Sequence, residues 1–403
     1  MAGANLTTLE NVLKDMYLPP VVEQLNNEVL IIQILEARSQ ELFGRQAIVP
    51  LHYGRSGGVG ARAENGALPS PGNQAYNKAV YDLKYLYGRV RVTGPSMAKT
   101  RSEVGSFLEV LKSELDGIRT DLKKDTARQL YGTGDGKIAT CGTTTASTTV
   151  VLGASGTEAR QKGQIYPGMF VDIGTLAAPT TVVSGATVAS VGSDGLTMVI
   201  DSAVTTSSSH FVFRSGSVAA SSVSHETTGL QQIISTSAGS LGSLDASSAG
   251  NEWWDNQRDT TGGALTMDNM LKFWNKLKAN NAETSHIITS LGLRRTYFNL
   301  LQSQVRYTEP MKLKGGFDAV DFQNKPLIAD YEAPYGKIYF LDARNIKLYT
   351  NRDWHFLDED GTVLKWYSGF DAWEAVLARY ANLGANKRAN QGVMSGLTDT
   401  TGY

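Results

Sequence analysis

Cysteine is almost absent: the 403 residues hold one, Cys141. A single thiol excludes an internal disulfide framework and a cysteine-rich zinc site, and it fits a reducing compartment or indifference to redox. Histidine is scarce too. His52, His210, His225, His286 and His355 stand apart, none with a partner at metal-ligand spacing. Long apolar runs are missing: the longest, Val29 to Leu35, is interrupted by Gln33 and is far too short to span a bilayer. The opening segment MAGANLTTLENVLKDMYLPP lacks the unbroken apolar core of a signal peptide, so the reading is a soluble protein made in a cytoplasm, with no membrane partner. An excess of positive charge is missing as well. The formal net charge is −1, without the field that dominates affinity in dedicated nucleic-acid binders.

Catalytic and cofactor signatures are also lacking. GRSGGVG (54–60) has the glycines of a phosphate loop but no following Lys-Ser or Lys-Thr and no helix start. GTGDG (132–136) follows a helical pattern, not a strand, which defeats a dinucleotide reading. Asp358, Glu359, Asp360 and Gly361 lack the spacing of a calcium loop and read as a hairpin turn. No serine sits in a G-x-S-x-G elbow. The expectation is a protein that is not an enzyme, with no cofactor, catalytic residue or metal ligand to name.

What is present is an order of elements. Thr7 to Met16 reads as a short helix stopped at Leu18–Pro20, and Val21 to Leu42 as a second, closed by Gly44. Together they make an N-terminal arm that either lies across another copy or packs on its own domain. Two strand-like runs, Gln46 to Tyr53 and Ala79 to Thr93, flank a loop of Gly, Pro and charged residues that cannot build a core of its own. In the second run Tyr81, Leu83, Tyr85 and Tyr87 share one side, and Arg89 and Arg91 continue it. These arginines are either contacts to another copy or a solvated strand end. Thr100 to Tyr131 is the strongest helix, with a Thr100/Glu103 capping box and Val104, Leu108, Leu111, Leu115, Ile118 and Leu122 along one stripe.

From Thr140 to Gly216 short Val, Thr and Ile runs alternate with Gly, Asp and Ser, the texture of a small inserted β-domain, with Ser193 to Gly195 as a hairpin turn. Beyond it, Gly229 to Ser235 reads as a strand, Thr266 to Ala279 as a helix with Met267, Met270, Leu271, Trp274 and Leu277 on one face, Ser285 to Ser290 as a buried strand and Leu291 to Gln302 as a helix. Phe370 to Leu383 is a final run whose composition also allows a helix, and residues after Gly384 read as a loose tail. Strands and helices intermix, so the class is α+β.

This order, with IVPLHYG before the loop and YGRVRVTG after it, resembles the major capsid proteins of tailed bacteriophages, which share the Hong Kong 97-like fold. The resemblance divides the chain into an N-terminal arm (1–45), an extended loop with its strands (46–93), a peripheral-domain spine helix (94–139), the inserted β-domain (140–216), an axial domain with remaining peripheral strands (217–384) and a tail (385–403). It implies a virion shell of pentamers and hexamers around double-stranded DNA, assembled in a host bacterial cytoplasm with a scaffolding protein, a portal and in some members a decoration protein. Encapsulin compartments of the same fold, and tail or surface-binding structural proteins, are the alternatives. No coiled-coil run precedes the arm, so the scaffold is expected as a separate or trimmed protein. The loop has no lysine before Lys78, so lysine crosslinking of the loop is not expected. Contacts between copies fall to Arg55, Arg62, Glu64, Arg89 and Arg91. Non-specific contact with packaged DNA falls to Arg119, Lys123, Lys124 and Arg128 on the exposed side of the spine helix, unless Glu109, Asp116 or Asp125 neutralises them.

Overall fold

The computed structural model describes residues 30–36, 38–95, 104–219, 223–303, 311–312, 318–358 and 361–399. The helix expected at Thr7–Met16, the Leu18–Pro20 stop and the Thr100/Glu103 capping box lie outside them. Within them, Val104–Tyr131 is one α-helix. Its Leu115 and Leu122 pack on Val90, Val92, Trp354, Phe356 and Leu377 of a five-stranded peripheral sheet, because residues at spacings of three and four share a helix face. In that sheet Lys84–Thr93 and Ile346–Phe356 both pair antiparallel with the long strand Ala372–Ala385.

A seven-stranded axial sheet runs in the order Gln257–Asp259, Gly392–Met394, Ile338–Leu341, His286–Thr289, Lys325–Ala329, Asp318–Phe322, Met311–Lys312. Helices Met267–Ala279 and Leu291–Ser303 supply Met270, Phe273, Trp274, Leu293 and Tyr297 to the core beneath it. Thr266 caps the first of these, its side chain accepting from the Asn269 amide. Ile338–Leu341, with neighbours on both sides and all four residues buried, is the apolar run that such a position requires.

The β-insert is a six-stranded sheet ordered Lys137–Thr140, Phe211–Arg214, Phe170–Gly174, Val183–Val191, Thr197–Thr206, Thr144–Val151, with the helix Ala154–Gln161 beside it. The Ser193–Gly195 turn joins two of these strands, with Gly195 at φ 74°. The apolar core cluster of this unit is drawn from 138–212. A separate cluster binds the rest together: Ile31, Leu35, Leu51, Tyr81, Leu130, Tyr131, Ile233, Trp254, Tyr339, Leu348 and Leu383 meet in one core.

Four expectations are corrected. Of the helix expected at Val21–Leu42, the described part is Leu30–Glu36 only, followed by a strand Ser39–Glu41 that runs parallel to Leu348–Thr350. Ile31, Ile32 and Leu35 are fully buried, so this stretch belongs to the body and does not reach away from it. The run Ala79–Thr93 is two strands, Ala75–Asp82 and Lys84–Thr93, broken at Leu83 where the chain passes from the hairpin to the peripheral sheet. The alternation changes phase there: Tyr81 and Leu83 are buried, while Tyr85 and Tyr87 are half exposed. Leu230–Ile233 is a short helix and not a strand, because Leu230, Ile233 and Ile234 reach the shared core at helical spacing. The residues after Gly384 are not a loose tail. Gly392–Met394 lies inside the axial sheet, and Arg388, 1 % exposed, donates to the carbonyls of Ile233, Gly239 and Gln232.

Gly384 is a point of close packing, not a chain exit: a Cβ there would stand 2.8 Å from the Tyr349 ring and 2.9 Å from that of Tyr81. Gly384→Val is therefore expected to cost on the order of 1–3 kcal/mol by overpacking, measured by urea denaturation. A cost below about 0.5 kcal/mol would contradict this placement.

Candidate functional site

Strands Gln46–Gly54 and Ala75–Asp82 pair with each other and with no further strand among the described residues. A lone two-stranded hairpin is at best marginal in water, so its root must be fixed elsewhere. Tyr81 fixes one side: its hydroxyl donates to the Ala385 carbonyl at 2.8 Å and accepts from the Ala385 amide at 3.1 Å. At the opposite, loop-bearing end of the pair Tyr53 stacks on Trp253, with centroids 4.6 Å apart and planes 8° from parallel. The Val80 amide donates to the Gly242 carbonyl at 2.9 Å. Gly242 has φ 61°, and a Cβ there would meet that of Ala79 at 2.9 Å, so the contact requires glycine.

Above this root the loop 55–74 folds on itself. Ser56 Oγ donates to the Gly72 carbonyl, and Arg62 donates to the carbonyls of Ala61 and Ala67. Arg55, Arg62 and Glu64 are exposed and have no ion pair among the described residues. In the same loop Val59 and Leu68 are each 87 % exposed. The sequence reading named the loop's charges and passed over these two apolar side chains; their isolation in a polar segment was the available signal.

Arg89 and Arg91 lie on the outer face of the peripheral sheet, opposite the spine helix. Both form ion pairs with Glu374 and both lie over the Tyr367 ring, at 5.1 and 3.8 Å from its centroid. Tyr85, Tyr87 and His355 cluster around Tyr380 on the same sheet. The face is thus a preformed aromatic and charged surface of one subunit. Glu374, Tyr367 and Tyr380 were invisible as its members because they arrive from almost three hundred residues downstream.

The proposed basic row on the exposed side of the spine helix is corrected in half of its members. Arg119 and Arg128 are each 8 % exposed. Arg119 pairs with Asp116 one turn earlier. Arg128 makes a bidentate contact with Glu226, at 2.5 and 3.1 Å, and also binds Asp125 at 3.0 Å. Lys123 is half-buried and Lys124 exposed, so these two remain of the four. For Arg128 the cause is plain: the last turns of the helix meet the insert and its returning chain, where Arg214 comes to 3.6 Å from Asp125. Burial raises the Asp125 carboxyl, but Arg128, Arg214 and a hydrogen bond from Gln129 outweigh it and hold the group below the usual carboxylate range. Burial lifts Glu226 above that range even with Arg128 beside it.

Among the described residues no group of His, Cys, Asp or Glu can hold a metal ion, and no helix is long and apolar enough to cross a membrane. Cys141 is buried, its thiol pushed up to about 12 by desolvation, and so is poorly nucleophilic.

No protein-family model and no curated protein matches the sequence. Among solved structures, the capsid asymmetric unit of cyanophage A-1(L) aligns over 92 % of this chain and 93 % of its own, at 13 % identity and a TM-score of 0.56. The chain has the Hong Kong 97-like capsid fold. The same search finds the capsid of an empty GTA particle (10 % identity, TM-score 0.49, 92 % of this chain and 96 % of that one). It also finds the holo-SrpI encapsulin complex of Synechococcus elongatus PCC 7942 (10 % identity, TM-score 0.44, 93 % and 88 %). On the capsid fold, the pinned hairpin is the extended loop, Val104–Tyr131 the spine helix, and the sheet carrying Arg89 and Arg91 the peripheral domain.

The buried cluster at the foot of the spine helix has a measurable signature. Arg128→Met leaves Asp125 and Glu226 buried without their cation, and is expected to cost about 3–5 kcal/mol in urea denaturation at pH 7. The sign of its pH dependence follows. In the natural chain the depressed Asp125 contributes stability above its unfolded pKa, lost as pH falls through the depressed one. In the variant both carboxyls prefer protonation when folded, so the deficit shrinks as pH is lowered toward 5. A deficit below about 1 kcal/mol that does not change with pH would contradict the arrangement.

Proposed function

We propose that this chain is the major capsid protein of a tailed bacteriophage, forming the pentamers and hexamers of an icosahedral shell around a double-stranded DNA genome. The reading is supported most by one observation: a hairpin anchored firmly at its root holds out a twenty-residue loop whose Val59 and Leu68 are almost wholly exposed. A monomer gains nothing by presenting apolar side chains on a built support, whereas a neighbouring copy that covers them gains their burial, up to about 1.5–3 kcal/mol for each side chain. Arg55, Arg62 and Glu64 flank those residues and supply charge-assisted contacts. Arg89 and Arg91, held in place by Glu374 and Tyr367, supply a surface already organised to receive such contacts.

The work of the protein on this reading is mechanical. Each copy makes several moderate contacts, and closure of the shell makes their sum very stable. The location is the virion, after assembly in the host cytoplasm with a scaffolding protein, a portal and, for some shells, a decoration protein. Packaged DNA meets the chain without sequence selectivity, through exposed side chains such as Lys124 and the half-buried Lys123.

Electron microscopy and light scattering of the expressed chain, with a scaffolding protein where needed, test the reading. Closed particles with five-fold and six-fold units are expected, and a monomer or trimer as the sole species under all such conditions would overturn it. Particles filled with protein in place of DNA in infected cells would assign the chain to the encapsulin type. Arg62→Glu should leave the subunit's unfolding transition unchanged and lower particle yield at least severalfold. Full yield would remove Arg62 from the contact.

A further inference from the structure

The β-insert touches the axial domain at a second place, far along the chain from the joints where it enters and leaves. The end of the helix Ala154–Gln161 meets the loop that follows Lys325–Ala329. Lys162, 4 % exposed, donates its ammonium to the carbonyls of Glu332 at 3.1 Å and Ala333 at 2.9 Å, and to Glu158 Oε1 at 2.6 Å. Gln164 Nε2 donates to Glu332 Oε2 at 3.0 Å, Tyr335 OH to Gln161 Oε1 at 2.9 Å, and the Tyr335 amide to Glu158 Oε1 at 3.2 Å. Tyr331 OH donates to the Gln161 carbonyl, and Lys162 lies 4.9 Å from the Tyr335 ring centroid.

The character of this contact is unlike the packing inside either unit. It is polar throughout, and no buried apolar cluster crosses it: the insert's core comes from 138–212, and the axial core contains none of those residues. A cleft of about 280 Å³ opens beside it, lined by Lys137, Lys162, Glu332, Tyr335 and Lys337 and by the joint Gly132–Gly136. An interface that is polar and not apolar leaves relative motion of the two units as the default, and the cleft gives that motion room. At the joints, Gly134, Gly136 and Gly216 take φ values of 72°, 79° and 75°. There the buried Asp125, Arg128 and Glu226 cluster, with Arg214 from the insert, holds the returning chain to the spine helix.

We propose that the insert is a hinged unit, pivoting on the Arg128 cluster and fastened to the axial domain by a polar latch centred on Lys162, which opens while both cores stay folded. Lys162 is the centre because it binds two main-chain carbonyls of the axial loop and the helix carboxylate at once, and the other bonds of the contact surround it. The use of such a latch rests on the shell reading: one sequence placed in pentamers and hexamers meets unequal surroundings, and a hinged insert adapts to them without repacking a core. The existence of the latch does not depend on that reading.

Hydrogen exchange of the free full-length subunit, read at single residues, tests it. The Tyr335 amide bonds across the latch, the Val188 amide lies in the insert's sheet and the Ile288 amide in the axial sheet. Tyr335 should exchange at least tenfold faster than Val188 and Ile288, through an opening that exposes neither. Lys162→Met should raise Tyr335 exchange about tenfold further and leave the other two unchanged. Gln161→Ala, which removes one side-chain acceptor, makes the same test with a smaller rise should the first variant fail to fold. The proposal is overturned by equal rates at all three amides in the natural chain, by variants that speed all three together, or by a folded variant that leaves Tyr335 unchanged. A subunit that assembles but shows no separate opening defeats the latch and spares the shell; one that opens but never assembles does the reverse.

Discussion

A two-stranded hairpin cannot hold up a long polar loop by itself, and much of this molecule is arranged around that limit. The pair Gln46–Gly54 and Ala75–Asp82 gains no third strand among the described residues. Its rigidity comes from what grips it at both ends: the Tyr81 hydroxyl on the backbone of Ala385 and the glycine turn at Gly242 near its root, and Tyr53 flat on Trp253 beside the loop. Those contacts draw on two distant parts of the chain, the segment from Gly242 to Trp253 and the neighbourhood of Ala385. The largest core cluster is the place where they meet, and it also takes in the last turn of the spine helix and the start of the described chain at Ile31 and Ile32. A force on the loop is therefore carried into both the peripheral and the axial sheets. That is what the proposed shell role asks of a chain whose contacts would lie at the ends of its extensions.

The same logic explains where charge is spent. The acids and bases at the foot of the spine helix are buried and paired, which fixes geometry at a high desolvation cost. Those of the loop are exposed and among the described residues lack ion pairs, which keeps them available. Arg89 and Arg91 stand between these cases, half exposed and already aligned by Glu374 and Tyr367. Because they are preorganised, they lose less freedom when a partner arrives.

Local pattern carried much of the architecture. The helix through Leu115 and Leu122, the capped helix after Thr266, the hairpin turn at Ser193–Gly195 and the break in texture around the insert were all legible, since each is written in consecutive residues. What failed was whatever depended on a distant partner. Tyr85 and Tyr87 continue the alternation of Tyr81 in sequence, yet a change of sheet at Leu83 turns them to the other face. Arg119 and Arg128 follow the polar side of the helix, yet both are buried, Arg128 against Glu226 of the chain that returns from the insert. Residues 385–399 look like a tail in composition, and only the axial sheet shows that Val393 and Arg388 are among the most buried residues of the chain. In the site, the charges were legible and the aromatic partners that organise them were not.

The central claim is that the loop 55–74 is exposed in the subunit and covered in the assembly. Hydroxyl-radical footprinting of Val59 and Leu68, compared between free subunits and purified particles, tests it directly. The account predicts strong oxidation of both side chains in the subunit and at least severalfold protection of both in the particle, with the already buried Leu51 unchanged. Equal oxidation of Val59 and Leu68 in the two states would contradict it.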